Sequence, residues 1–152
     1  MTDSSIQSIV VSGTPARIAE IISDFPSYPD WVSAVQTAEV REEYEDGYAS
    51  RVRFVMDAGV LKDDYVLEYE YAEDLSRIEW RLVEPSKVQK SQHGAYDIED
   101  NGDGTVTVTY SLTVELGIPM LGMLRRRAEK MIMDTALKEL KKRAEAAPAT
   151  GK

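Results

Sequence analysis

Thr105-Val-Thr-Val-Thr-Tyr-Ser-Leu-Thr-Val-Glu-Leu116 is followed at once by Gly117-Ile118-Pro119. Every even position from Val106 to Leu116 is apolar, and the residues between them are Thr, Ser or Glu. A period of two held over that length predicts a long strand with one buried and one wet face. Gly117-Ile118-Pro119 stops it, and proline suits the first turn of a following helix. From Pro119 to Ala146 there is no further proline, and the only glycine is Gly122. A helix over that span would be about 40 Å long, enough to cross a sheet.

Working outward, Ile6 to Ser12 reads as a first strand. Thr14 then caps, and Pro15 opens, a short helix through Ser23 that groups Ile18, Ala19, Ile21 and Ile22. The segment from Asp24 to Trp31, with two prolines and three aromatics, predicts a second helical turn ending near Trp31. Strands are expected near 35–44, 48–58, 62–72, 77–84 and 88–99, joined by the turn sequences Glu45-Asp46-Gly47, Glu73-Asp74-Leu75-Ser76 and Asn101-Gly102-Asp103-Gly104. Connections this short make antiparallel hairpins. One domain spans 1–152, with a core over 6–146 and disordered tails expected at 1–5 and 147–152.

Charges test the register. With partner numbers summing to 121 between the third and fourth strands, Arg53 faces Glu68, Arg51 faces Glu70 and Phe54 faces Leu67. With a sum of 149 between the fourth and fifth, Tyr69 faces Trp80, Tyr71 faces Ile78 and Glu68 faces Arg81. Glu68 would then lie between two arginines on the outer face, a pairing that sheets favour. In the last hairpin both strands are apolar at even positions, so the partner sum must be even. That requires an odd-length loop, which Gly102 or Gly104 can supply by adopting positive φ.

The chain carries 18 Lys/Arg against 27 Asp/Glu, a net charge of −9. An acidic body argues against nucleic acid as a partner, because phosphate neutralisation needs a basic face. Residues 119–146 are the exception, with a net charge of +4 that favours docking of the last helix on the rest. There is no cysteine, so disulfides, thiolate metal sites and cysteine nucleophiles are excluded. His93 is the only histidine and falls on the outward phase, which leaves no histidine-based metal site. No cofactor is expected. No basic region followed by an apolar run opens the chain, and a cytoplasmic location is the expectation.

A strand, two short helices, six antiparallel strands and a long last helix is the element order of the helix-grip fold. The chain resembles the START-like (SRPBCC) superfamily, and within it the polyketide cyclase/dehydrase and lipid-transport branch. Pro15, Tyr28-Pro29-Asp30-Trp31, Gly94-Ala95-Tyr96, the run from Asp103 to Tyr110 and Ile118-Pro119-Met120-Leu121-Gly122 carry the resemblance. It implies an α+β domain: a seven-stranded curved antiparallel sheet wrapped around the C-terminal helix, with a deep apolar cavity between them.

With the inward phase even in strands three, five, six and seven and odd in strand four, the expected lining is Val52, Phe54, Met56, Tyr65, Leu67, Tyr69, Tyr71, Trp80, Leu82, Val88, Tyr96, Ile98, Val108, Tyr110 and Leu112. Leu124, Ala128 and Met131 of the last helix are expected to roof it. Several tyrosines among aliphatics suit an amphipathic ligand. The same phase turns Lys90 and Gln92 inward, unless a bulge near Gly94 returns both to solvent. No Ser-His-Asp arrangement, phosphate loop or calcium loop can be read.

The expected function is binding or transport of a hydrophobic small molecule: lipid, quinone, isoprenoid or polyketide. The alternative is a polyketide cyclase/dehydratase with Lys90, Gln92 and Tyr69 assisting proton transfer. A third possibility is an interaction module using the second helix stripe, Met133, Leu137, Leu140 and Ala144, although packing against the first strand and short helices is favoured. Arg125-Arg126-Arg127 beside Met120 allow at most transient contact with an anionic membrane. A monomer or weak homodimer is expected, with the roof hinged at Gly117–Gly122 near the cavity mouth.

Overall fold

A computed structural model of the chain describes residues 3–57, 62–117 and 122–146; within these, nothing is said of the side chains of residues 3, 4, 122–125, 128 and 129. The order is β1 (Asp3–Ser12), α1 (Pro15–Ser23), a single 3₁₀ turn (Phe25–Ser27), α2 (Tyr28–Trp31), β2 (Val35–Glu43), β3 (Ala49–Asp57), β4 (Lys62–Tyr71), β5 (Arg77–Leu82), β6 (Gln89–Asp100), β7 (Thr105–Leu116) and α3 (Gly122–Glu145). The seven strands form one antiparallel sheet in the order β1-β7-β6-β5-β4-β3-β2. This is the seven-stranded helix-grip architecture expected from the sequence.

β7 runs over the expected residues, and its burial alternates from Thr105 through Glu115. Its wet face is what lets it sit between two neighbours while one side meets the core. β1 begins earlier than expected: Asp3 pairs with Val114, so residues 3–5 belong to the sheet rather than to a frayed tail. The other tail positions, 1–2 and 147–152, lie outside the described residues. Thr14 Oγ1 accepts from Arg17 N at 3.2 Å, and Pro15 stands at the first position of α1, as the capping chemistry predicts.

The register of β4 with β5 is the one the charges indicated, with Tyr69 opposite Trp80 and Glu68 opposite Arg81. The β6–β7 sum is even, and both Gly102 and Gly104 adopt positive φ in the loop. The β3–β4 register is corrected by two residues: Arg51 faces Glu68 and Phe54 faces Tyr65. Arg53 instead forks onto both oxygens of Asp64, at 2.9 and 2.7 Å, a bidentate geometry stronger than a single contact. A slip of two keeps every side chain on its face. Glu68 still lies between two arginines, now Arg51 at 3.5 Å and Arg81 at 2.6 Å.

The core fills the space between the concave face of the sheet and the helices. Val11, Ile18, Ile22, Phe25, Ile78, Val106, Val108, Met133 and Leu140 are among its fully buried members. α3 packs chiefly on β1, with further contact to α1, α2 and β7. Of its second stripe, Met133, Leu137 and Leu140 are buried inside the molecule and Ala144 packs against the same core, the intramolecular packing favoured from the sequence. Two polar contacts tie the helix to the sheet edge: Lys141 Nζ donates to Val10 O at 2.8 Å, and Ser12 N donates to Glu145 Oε2 at 2.9 Å. They occupy backbone groups of an edge strand that would otherwise invite another chain. No helix among the described residues is long and apolar enough to cross a membrane.

Candidate functional site

Between the concave face of the sheet and α3 a cavity of about 310 Å³ remains. That is at the lower end of the range for small-molecule sites, roughly 300–1,000 Å³. Phe54 and Met56 of β3, Tyr65, Leu67 and Tyr69 of β4, Trp80 of β5, Gln92 and Tyr96 of β6 and Tyr110 of β7 contribute its sheet side. Ile132, Thr135, Ala136 and Glu139 contribute from α3.

The aromatic floor is continuous. Trp80 lies 5.4 Å from Tyr96 and 5.7 Å from Tyr110 between ring centroids, and Tyr96 and Tyr110 are 4.8 Å apart. Tyr69 continues the row at 5.8 Å from Trp80, and Phe54 stacks on Tyr65 at 5.8 Å. Gly94 makes this possible. It is the cross-strand partner of Trp80, and a Cβ built on it would stand 2.4 Å from Cζ2 of the indole. Only a residue without a side chain lets the ring lie flat across β6.

The opening lies at the junction of α2, β2 and α3. Ser33 and Met131 both border the cavity and both are exposed, Met131 at 57%. Ser33 N donates to Glu139 Oε1 at 3.1 Å, and Asp57 N donates to Ala34 O at 2.7 Å, so backbone bonds fix the rim. Val32, Ser33, Ala34 and Val35 were not expected at the site. They arrive there because α2 ends at Trp31 and the chain turns over the mouth before entering β2, a tertiary placement with no periodic signal.

The polar groups divide into two sets. In the first, partners lie within the fold. The Tyr28 hydroxyl donates to Ile22 O at 2.5 Å. Trp80 Nε1 donates to Gln92 Oε1 at 2.8 Å, Gln92 Nε2 to Gln89 Oε1, and Gln89 Nε2 to Asp63 Oδ2 at 3.0 Å. In the second set are the hydroxyls of Tyr69, Tyr96 and Tyr110, at 4%, 8% and 7% exposure, which have no hydrogen-bond partner among the described residues. Burial pushes all three phenols above their ordinary range, and for Tyr69 and Tyr96 neighbouring tyrosines add to the effect. They are neutral donors at any physiological pH.

Ten of the sequence-selected residues meet at this cavity: Phe54, Met56, Tyr65, Leu67, Tyr69, Trp80, Gln92, Tyr96, Tyr110 and Met131. Met131 is a rim residue rather than part of a closed roof. Val108 and Leu112 are buried in the core and do not border the cavity; from β7 Tyr110 does. Leu82 is half-buried and does not border it. Lys90 is corrected outright: it is exposed and absent from the lining. The cause is an irregularity between Gln89 and Ser91, not near Gly94, which turns Gln89 inward and Lys90 out while leaving Gln92 on the inner face. The side chains of Leu124 and Ala128 lie outside the described residues, as do residues 118–121 of the expected hinge and the side chains through Arg125 of the expected membrane contact. Arg126 and Arg127 are exposed.

Solved structures share this architecture. A START superfamily protein from Mycobacterium smegmatis superposes with a TM-score of 0.86 at 22% identity, covering 93% of this chain and 97% of that one. The Zhui aromatase/cyclase from Streptomyces sp. R1128 does so with a TM-score of 0.86 at 15% identity over 100% of both chains. A protein of Thermus thermophilus follows at 0.79 and 22% identity, covering 97% of this chain and 100% of its own. No curated protein matches this sequence. At these identities the superpositions establish the fold and leave ligands open. The sequence itself matches the family described as polyketide cyclase / dehydrase and lipid transport over residues 4–145. A match of that length decides the family: this chain belongs to the polyketide cyclase / dehydrase and lipid transport family.

Proposed function

We propose that the protein binds and carries a hydrophobic small molecule, of the lipid, quinone, isoprenoid or polyketide kind, in the cavity between the sheet and α3. One observation carries the reading. A fold that could have closed its core with aliphatics keeps an aromatic-walled space of about 310 Å³ with an opening beside Met131. Aromatic and aliphatic walls facing such an opening offer apolar surface that a hydrophobic molecule would remove from water on entering.

The cyclase/dehydratase alternative draws less support from the same residues. Lys90 stands in solvent, both ends of the Gln92 amide are engaged by Trp80 and Gln89, and burial makes the Tyr69 phenol a weaker acid than usual. The three candidates do not assemble a general acid–base pair. Native mass spectrometry of the purified protein, with organic extraction of any bound species, tests the carrier function. A retained small molecule, or saturable one-to-one enhancement of a neutral lipid dye such as Nile red, is the expected result. An empty protein that leaves the dye unaffected would overturn it.

A further inference from the structure

We infer that the cavity selects neutral, flat molecules carrying hydrogen-bond-accepting oxygens and rejects anions, with Tyr69, Tyr96 and Tyr110 as the specificity-determining residues. The inference rests on the carrier function proposed above and narrows it. A buried hydroxyl needs a partner, and these three, which have none among the described residues, find it on the cavity side, in solvent or in an oxygen of a bound molecule. All three hydroxyls are donors that stay protonated, since burial raises their pKa. Tyr96 and Tyr110 are cross-strand partners on β6 and β7 and Tyr69 stands on β4, and all three residues line the one cavity.

The charge around that space excludes the commonest amphipathic ligands. The described lining contains no Lys, Arg or His, while Asp57 and Glu139 are both at its rim. Asp57 faces Lys62 Nζ at 3.8 Å across the hairpin, and Glu139 accepts from Ser33 N. A fatty-acid carboxylate entering past these groups would lose its hydration and meet no Lys, Arg or His among the described residues that line the space. A carbonyl or ether oxygen carries no such penalty and satisfies the phenols. Shape points the same way: Trp80, Tyr96 and Tyr110 offer a row of ring faces that suits a planar partner, whereas a flexible acyl chain must lose its own freedom to lie there.

The test uses three probes with one ring system: 2-methyl-1,4-naphthoquinone, 2-methylnaphthalene and 2-naphthoate, titrated by calorimetry into the full chain. The protein has no cysteine for the quinone to alkylate. The expected order is quinone tightest by at least tenfold over the hydrocarbon, and naphthoate weaker than either. Tyr96→Phe and Tyr110→Phe keep the rings and should each reduce the quinone's advantage severalfold while leaving the hydrocarbon's affinity unchanged. A merely structural role for the hydroxyls would shift both ligands together. Should the hydrocarbon bind as well as the quinone, or naphthoate bind best, the selectivity is refuted while the carrier function stands. Failure of all three probes to bind while Nile red still binds one to one would refute the selectivity alone, and failure of Nile red as well would overturn both. The thermal midpoint of each variant identifies any that fails to fold; in that case Tyr69→Phe and the parent protein's probe order decide the matter.

Discussion

Replacing Gly94 by alanine sets two effects against each other, and the structure says which prevails. The φ of Gly94 is not in the positive range, so alanine fits its backbone. On backbone entropy alone the substitution should stabilise the protein by about 0.4–1 kcal/mol. The new methyl, however, would meet three atoms of the Trp80 indole at 2.4, 2.6 and 2.8 Å. The ring is held by its bond to Gln92 and its contacts with Tyr69, Tyr96 and Tyr110, so it cannot give way without disturbing the cavity wall. Overpacking of this kind costs about 1–3 kcal/mol, and three contacts this short put it at the upper end, so after the entropy gain a net loss of roughly 2 kcal/mol remains, which lowers the melting temperature by roughly 4–8 °C. Thermal unfolding by circular dichroism, with Nile red binding measured on the same samples, should show a lower midpoint and weaker dye binding. In a Trp80→Leu background the same alanine should be neutral or stabilising, because the clash is gone. A midpoint unchanged or raised in the parent background, with dye binding intact, would refute the account of Gly94.

Leu140 is fully buried on the inner face of α3, so Leu140→Ala should cost about 2–5 kcal/mol in urea unfolding, whereas a loss under about 1 kcal/mol would mean the stripe is not core. The hydrogen bond from Arg81 holds the Glu68 carboxyl below its ordinary range, with Arg51 adding to it. A depressed carboxylate pKa contributes stability that is present above the unfolded-state value and lost as pH falls through the folded one. The stability gap between the parent and Glu68→Gln should therefore be fully open above about pH 5 and close below about pH 4. A gap that widens on acidification would contradict the pairing.

Much of this was legible in the sequence, for identifiable reasons. The alternation of Thr105–Leu116 needs only the geometry of a strand, and it located β7 to the residue. Glu68 and Arg81 located each other because charge pairing and aromatic pairing agreed on one register. Arg53 misled, since Glu68 and Asp64 are both carboxylates on the same face of β4 and parity cannot separate them. Lys90 misled for another reason: period-two reasoning assumes an unbroken ladder, and the irregularity between Gln89 and Ser91 leaves no mark in residue type. The rim at Val32–Val35 was out of reach because a loop's destination depends on what the helices pack against. Gly94 was noticed as part of a motif, but its purpose appears only when Trp80 is seen lying across it.

The most direct test of the central claim, that a ligand enters the cavity and rests against its aromatic floor, is the fluorescence of Trp80 during titration. Of the two tryptophans, Trp31 packs on Tyr28 at 5.1 Å and does not border the cavity, so Trp31→Phe leaves Trp80 as the sole reporter. Titration of that variant with 2-methyl-1,4-naphthoquinone should quench Trp80 saturably with a stoichiometry of one to one. Quenching that rises linearly without saturation, or emission that does not change, would contradict occupation of the cavity.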